Sequence, residues 1–181
     1  MTKKIIINES QLKVIMENGI DRYNIKGVYH VSNTLFEEFQ NSINFAYIFF
    51  SNKPIVLSGS RFLYKCDLSI KNPFVFEHGF SWSYPLWLYL TNKNGELISE
   101  EEFTKEKYDG LCGAPYEFWK MVYEDDFEWE ADQIPELVKH LNMGYDGVII
   151  KDVQEGDTGI FVDDYIVFNP DQVKIISKRE I

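Results

Sequence analysis

Three short stretches set polar side chains against what read as strands: Tyr29-His-Val-Ser32, Gly144-Tyr-Asp-Gly-Val-Ile-Ile150 and Tyr165-Ile-Val-Phe-Asn-Pro-Asp-Gln-Val-Lys-Ile-Ile176. They place His30, Asp146, Asp171 and Gln172 on the edges of a buried sheet. Taken alone, His30 lies mid-strand between Tyr29 and Val31 and reads as an ordinary histidine with its hydrogen bonds satisfied. Gln172 follows Asn169-Pro170-Asp171, a turn signal in which a polar residue needs no chemical role. Ser51 closes a strand ahead of the turn Asn52-Lys53-Pro54, and Asp146-Gly147 reads as a tight turn into a strand. Other chemistries find no footing. His78 and His140 stand at no metal-ligand spacing, and the unpaired Cys66 and Cys112 exclude a cysteine-based zinc site. The acidic run from Glu124 to Glu130 could supply the two carboxylates that flank a scissile sugar bond, but adjacent acids on a connector are far more often a solvated face. Ser58-Gly59-Ser60 lacks the glycine pattern of a nucleophile elbow, and no phosphate loop is present.

The chain has 181 residues, enough for one domain with a substantial core over 1–181. Apolar residues make up 45 %, and 14 Phe, 11 Tyr and 4 Trp point to an aromatic-rich core or ligand cleft. A net charge of −11 repels phosphate backbones, and no basic patch offsets it, so no nucleic-acid partner is expected. The two cysteines suit a reducing compartment. Ile5 to Ile7 is too short for a signal sequence, and Ser83 to Leu90 is too short to cross a bilayer. A soluble, cytoplasmic protein with no membrane partner is the expectation.

The elements that must carry these groups follow from capping and periodicity. Asn8-Glu-Ser-Gln11 has the form of a capping box, and Leu12, Ile15 and Met16 make a helical stripe closed by Asn18-Gly19. Residues 1–26 thus read as a helical lead-in. Gly27 to Ser32 looks like a strand. Thr34-Leu-Phe-Glu37 is a second capping box, predicting a helix that buries Leu35, Phe36 and Phe39. Phe45 to Ser51 reads as a strand. From Arg61 to Ile70, positions 62, 64, 66, 68 and 70 are apolar or aromatic, the pattern of a half-buried strand stopped by Asn72-Pro73. A helical insertion over 90–130 includes a start at Ser99 and a helix from Pro115 to Tyr123; another helix runs from Asp132 to His140. Strands at 147–151, 160–168 and 173–177 finish the chain. Hairpin-like spacing predicts an α+β fold with antiparallel pairing.

In this order the motifs resemble the ADP-ribosyltransferase fold, in particular the small transferase-like domains of phage polyvalent proteins and mobile elements. The resemblance rests on Tyr29-His-Val-Ser32, on Phe49-Phe-Ser51 with Asn-Lys-Pro, on Leu68 to Val75, and on Gly144 to Ile150 running into Tyr165 to Lys174. It implies two packed antiparallel β-sheets with surrounding helices and NAD, as substrate, in the cleft between them. It also implies that His30 meets a ribose hydroxyl, that the backbone of Val31 holds the nicotinamide amide, and that Gln172 contacts the nicotinamide ribose. The family's Ala-x-x-Tyr helix is cut down here to Pro54-Ile-Val-Leu-Ser-Gly-Ser60. Ser51 remains, and the stacking aromatic falls to Phe49, Tyr64 or Tyr47.

Breaking the nicotinamide glycosidic bond builds positive charge on the ribose, which a carboxylate in a dry cleft stabilises. Gln172 can orient a hydroxyl but carries no charge, so Asp171, Asp163 or Asp164 would have to supply that charge. The resemblance therefore implies NAD-dependent ADP-ribosyl transfer to a protein or small acceptor, as in a phage or mobile-element effector acting on a host protein. The alternative is an inactive, transferase-shaped acidic protein that binds or blocks a host partner.

Overall fold

The computed structural model describes residues 23–40, 47–124, 129–155 and 159–181. The helix expected over 8–19 lies outside them, as does the start of the strand expected from Phe45. Seven strands form one mixed sheet: β1 (Tyr23–Ser32), β2 (Ile48–Ser51), β3 (Phe62–Ile70), β4 (Pro73–Glu77), β5 (Gly147–Glu155), β6 (Ile160–Val167) and β7 (Val173–Glu180). Their order across the sheet is β4-β5-β6-β2-β1-β3-β7. β1 begins at Tyr23, so the last residues of the expected lead-in already belong to the sheet.

The α+β class holds, with two differences from the expected pair of antiparallel sheets. One hydrogen-bonded ladder runs through all seven strands, and β4 and β5 pair in parallel, Pro73 opposite Gly147 through Glu77 opposite Lys151. Parallel neighbours need a long crossover. Here the crossover carries every α-helix among the described residues: α1 (Lys105–Tyr108), α2 (Tyr116–Glu124) and α3 (Ile134–Leu141). The ladder also cannot lie flat. β3 and β4 stand five places apart in the order, about 24 Å in a flat sheet. Only Lys71 and Asn72 separate them in sequence, a link that reaches roughly 10 Å at full stretch. The sheet must therefore turn back on itself.

Contacts at the fold-back are tight. A Cβ on Gly147 would stand 2.8 Å from the Ile166 carbonyl oxygen and 3.1 Å from Ile70 Cγ2, so only glycine lets β5, β6 and β3 approach this closely. Two hydrophobic clusters result. Phe74, Phe76, Val148, Ile150 and Ile166 pack under the helices with Phe118, Trp119 and Leu137. Val28, Ile48, Phe50, Cys66, Leu68 and Val167 fill the other. Adjacent residues of β6, Ile166 and Val167, thus face different cores.

The alternation expected in β3 is present: Tyr64, Cys66, Leu68 and Ile70 are buried while Lys65 is exposed. The helix expected from Thr34 does not form. Thr34 N–H bonds Ser32 Oγ at 3.1 Å, Phe36 N–H bonds the Tyr64 hydroxyl at 2.8 Å, and Glu37 pairs with Lys178, so both ends of the expected capping box are engaged elsewhere. Phe36 and Phe39 still pack on the second cluster, as their apolar spacing suggested.

Candidate functional site

β1 and β2 are joined at a single pair, Tyr29 opposite Ser51, whereas β1 pairs with β3 along its length. Beyond that pair the two strands carry no further ladder contact, and His30 bridges them. Its Nδ1 lies 2.8 Å from the Phe49 carbonyl oxygen. A carbonyl only accepts, so Nδ1 carries the proton and, in the neutral ring, Nε2 is left as an acceptor. Burial lowers the His30 pKa, with the Phe49 hydrogen bond opposing. The ring sits among Phe36, Phe39, Phe50 and Tyr64 at centroid distances of 5.0–6.2 Å.

Two cavities share His30 and Phe49 as a common wall. One, of about 170 Å³, is lined by Tyr29, Val31, Ser51, Ile55 and Leu57, with Asp164 and Glu155 opposite. The other, of about 630 Å³, is lined by Phe36, Phe39, Tyr47 and Ile48, with Glu37 and Glu38 beside them. Four of the expected residues, His30, Val31, Phe49 and Ser51, therefore meet in the smaller cavity. The Ser51 hydroxyl donates to the Lys53 carbonyl at 2.6 Å, so it is held by its own turn.

The more deeply buried of the two acids in this cavity is Asp164. β6 sets it opposite Ser51 of β2 and Ile150 of β5, on the face that carries Ile166 toward the helices. It is 4 % exposed, and Oδ2 has no hydrogen-bond donor. The Glu155 carboxyl is in hydrogen-bonding contact with the Asp164 side chain, an arrangement two carboxyls hold only with a proton between them. Burial first, then the charge of Glu155, pushes the Asp164 carboxyl up to about 8. Trp82 Nε1 donates to Glu155 Oε1 at 3.4 Å, and the Trp82 ring meets Phe49 edge-on at 5.9 Å.

A β-bulge explains how Glu155 comes to this face. The β5–β6 register shifts between Ile150, opposite Asp164, and Val153, opposite Val162. Without the extra residue, even-numbered positions of β5 would keep facing Asp164 and Glu155 would point to the other side. Asp152 takes up the bulge at φ 56°, and its N–H bonds Asp163 Oδ1 at 3.2 Å. Asp163 is thus occupied on the opposite face from Asp164.

The remaining expected residues are placed elsewhere. Gln172 does not meet His30 across a groove. Its Oε1 accepts from Phe168 N–H at 3.1 Å and Asn169 N–H at 2.9 Å, while Nε2 donates to the Asp146 carbonyl at 2.8 Å and the Ser69 carbonyl at 3.4 Å. With donors and acceptor engaged, Gln172 ties the fold-back together. Asp146 is part of the same knot, its carboxylate accepting from Lys71 and Asn72 N–H. Tyr64 is fully buried, stacked on Phe36 at 4.2 Å, and borders neither cavity, so it cannot stack on a ligand there. Tyr47 does line the larger cavity, with Lys139 Nζ 4.2 Å from its ring centroid. Asp171 is exposed in the turn.

Sequence reasoning missed Glu155, Trp82 and Tyr29. Asp164 could not be told from Asp163 by pattern, since it shares the parity of Val162 and Ile166 while Asp163 shares that of Phe161 and Val167. Glu155 carried none, because the bulge reverses its face. Among the described residues no group of three His, Cys, Asp or Glu could hold a metal ion, and no helix is long and apolar enough to cross a membrane. No protein-family model, curated protein or solved structure matches the chain.

Proposed function

We propose that the paired cavities bind NAD and that the chain breaks the nicotinamide glycosidic bond, passing the ADP-ribosyl group to an acceptor. The observation that carries this reading is Asp164: a carboxyl 4 % exposed, with one oxygen lacking a donor, facing the parted strands that hold His30 and Phe49. Leaving a buried polar atom such as Oδ2 without a donor has a cost, roughly 1–3 kcal/mol. That cost is worth bearing where positive charge must be met. The Asp164–Glu155 pair takes the part that Gln172 cannot, and its shared negative charge sits where the ribose cation would form. His30 offers Nε2 to a ribose hydroxyl, Phe49 presents a ring face, and the unpaired edge of β1 at Val31 offers backbone groups to an amide. The larger cavity gives room for the rest of the dinucleotide.

NAD at ~100 times its dissociation constant should add about 2.7 kcal/mol of stability, raising the melting temperature by roughly 5–10 °C. Asp164→Asn should lower NAD cleavage by ~10²–10³-fold. A full chain that gains no thermal stability at millimolar NAD would sink this reading. The same measurement would then favour an acidic, non-catalytic protein that binds or blocks a partner, for which exposed Val56 and Leu57 beside the smaller cavity and the net charge of −11 are the support. The free thiols of Cys66 and Cys112 suit a reducing cytoplasm, that of a host cell if the chain is phage-encoded.

A further inference from the structure

The strand order leaves two edges, β4 and β7, and only one of them is blunted. β4 is five residues long, starts at Pro73, and is backed by the turn at Leu111–Gly113, where a Cβ on Gly113 would stand 2.8 Å from the Val75 carbonyl oxygen. β7 is eight residues long, contains no proline, and pairs with β3 alone. Along its outer side no main-chain hydrogen bond is made among the described residues. The two faces of β7 differ in charge, because cross-strand partners share a face. Lys174 lies opposite Asp67, Ser177 opposite Lys65 and Arg179 opposite Leu63. Lys65, Lys174 and Arg179 are exposed and make no ion pair among the described residues, while Asp67 is taken up by Lys26 and by Gly27 N–H. On the other face Val173 and Ile175, opposite Leu68 and Cys66, pack on the second cluster. Beside them opens a cavity of about 520 Å³, its wall apolar at Phe39, Pro170, Val173 and Ile175 and acidic at Glu37, Glu38 and Asp171.

We propose that β7 takes up an extended segment of another protein as an added strand, and that acidic and apolar residues alternate along that segment. Its main chain meets the open edge. Side chains on one face reach Lys174 and Arg179, with Lys65 one strand further in, and those on the other enter the cavity beside Val173 and Ile175. Acids belong on the first face only, because on the second they would meet Glu37, Glu38 and Asp171. Lysines on an edge, and the extra residue at Ile176 where the register with β3 shifts, are devices that keep a strand from pairing with its own kind. Here they select. Two β7 strands set antiparallel over their full length place Lys174 of each opposite Arg179 of the other, so a second copy is repelled while an acidic strand is attracted. A nucleic-acid strand offers no edge of alternating N–H and C=O, and its repeated phosphates would meet the three acids as well as the cations. The proposal does not depend on NAD binding at His30.

Full-length protein is titrated into a fluorescein-labelled peptide of alternating Glu and Val with blocked ends, and binding is read by fluorescence anisotropy. The peptide should bind saturably at low salt and weaken as salt rises. A peptide of the same composition in shuffled order, and one of alternating Lys and Val, should each bind at least ~10-fold more weakly. Two further peptides carry N-methyl groups on one or the other set of alternate amides. Methylating the set that faces β7 should abolish binding, and methylating the set that faces solvent should leave it within a factor of a few, the signature of strand addition. Lys174→Glu combined with Arg179→Glu should weaken the Glu–Val peptide by at least ~10-fold and admit the Lys–Val peptide, with a melting curve to check that the variant folds. Absence of saturable binding would overturn the proposal, as would methylated peptides that do not differ from each other, or affinity that the charge reversal leaves unchanged. Preferential binding of a single-stranded RNA oligonucleotide, or a dimer of the chain alone that excludes the peptide, would give the edge to a different occupant and overturn it too.

Discussion

Asp164 gives the protein an unusual dependence of stability on pH. Burial and the neighbouring Glu155 push its carboxyl up to about 8 in the folded chain, from the ordinary 3.8 of an aspartate in the unfolded one. Between those values the native state holds a proton that the unfolded state has released. Stability therefore falls as pH rises through this window, the reverse of the common case in which a carboxylate is stabilised by folding. At full effect the slope is about 1.4 kcal/mol per pH unit, so the contribution of Asp164 should weaken by about 4 kcal/mol from pH 5 to pH 8. That is a large part of the 5–15 kcal/mol typical of a folded domain. Asp164→Asn keeps the shape, cannot ionise, and can donate to Glu155. Urea unfolding of wild type and variant at pH 5, 6, 7 and 8 gives a difference in stability from which titrating groups remote from the Asp164–Glu155 pair cancel. The variant should gain on wild type at each step upward in pH. A difference that stays constant over the range would mean that Asp164 is already ionised in the native state, and the shared-proton pair would be refuted.

Two substitutions test the scaffold rather than the site. Gln172→Ala removes four hydrogen bonds and strands the carbonyl of Asp146, so it should cost about 1–3 kcal/mol in chemical denaturation, while NAD cleavage by the folded protein stays within a factor of a few. A loss of ~10² in cleavage with stability intact would return Gln172 to the active centre. Gly147→Ala should destabilise by about 1–3 kcal/mol, because the new methyl meets the backbone oxygen of Ile166 at 2.8 Å and backbone cannot swing aside. A neutral result by the same denaturation measurement would show that the fold-back is looser than its contacts indicate.

What the sequence made legible follows from what acts locally. β3 could be read from its alternation, because one face is buried along its length. Residues 116–124 and 134–141 could be read as helices from their apolar stripes and from proline at their starts. His30, Val31, Phe49 and Ser51 were grouped through the resemblance alone, and they line one cavity because β1 and β2 each bring their residues as a block. What could not be read depends on distant partners. The capping box at Thr34 is locally sound, yet Tyr64 and Lys178, far along the chain, take its groups. The turn glutamine was ambiguous for the same reason: whether Gln172 faces a ligand or a backbone carbonyl is decided by Ser69 and Asp146, which arrive only when the sheet folds back.

The choice of Asp164 over Asp163 shows how the fold sets the chemistry. β6 carries two adjacent acids and, two residues on, two adjacent apolar residues, Ile166 and Val167. A slip of one residue would exchange Asp163 with Asp164 and Ile166 with Val167, and both apolar residues are buried either way. Hydrophobic patterning alone therefore gives this strand little preference between the two registers. Distant contacts decide it. Asp163 is held outward by the N–H of Asp152 in the bulge, its own N–H bonds Asn52 Oδ1, and the end of the strand is tied through Gln172 to Asp146. The bulge that fixes Asp163 is the same one that turns Glu155 toward Asp164. One local distortion of β5 thus selects which acid enters the cavity and supplies its partner, so the carboxyl pair is gained or lost as a unit with the register of β6.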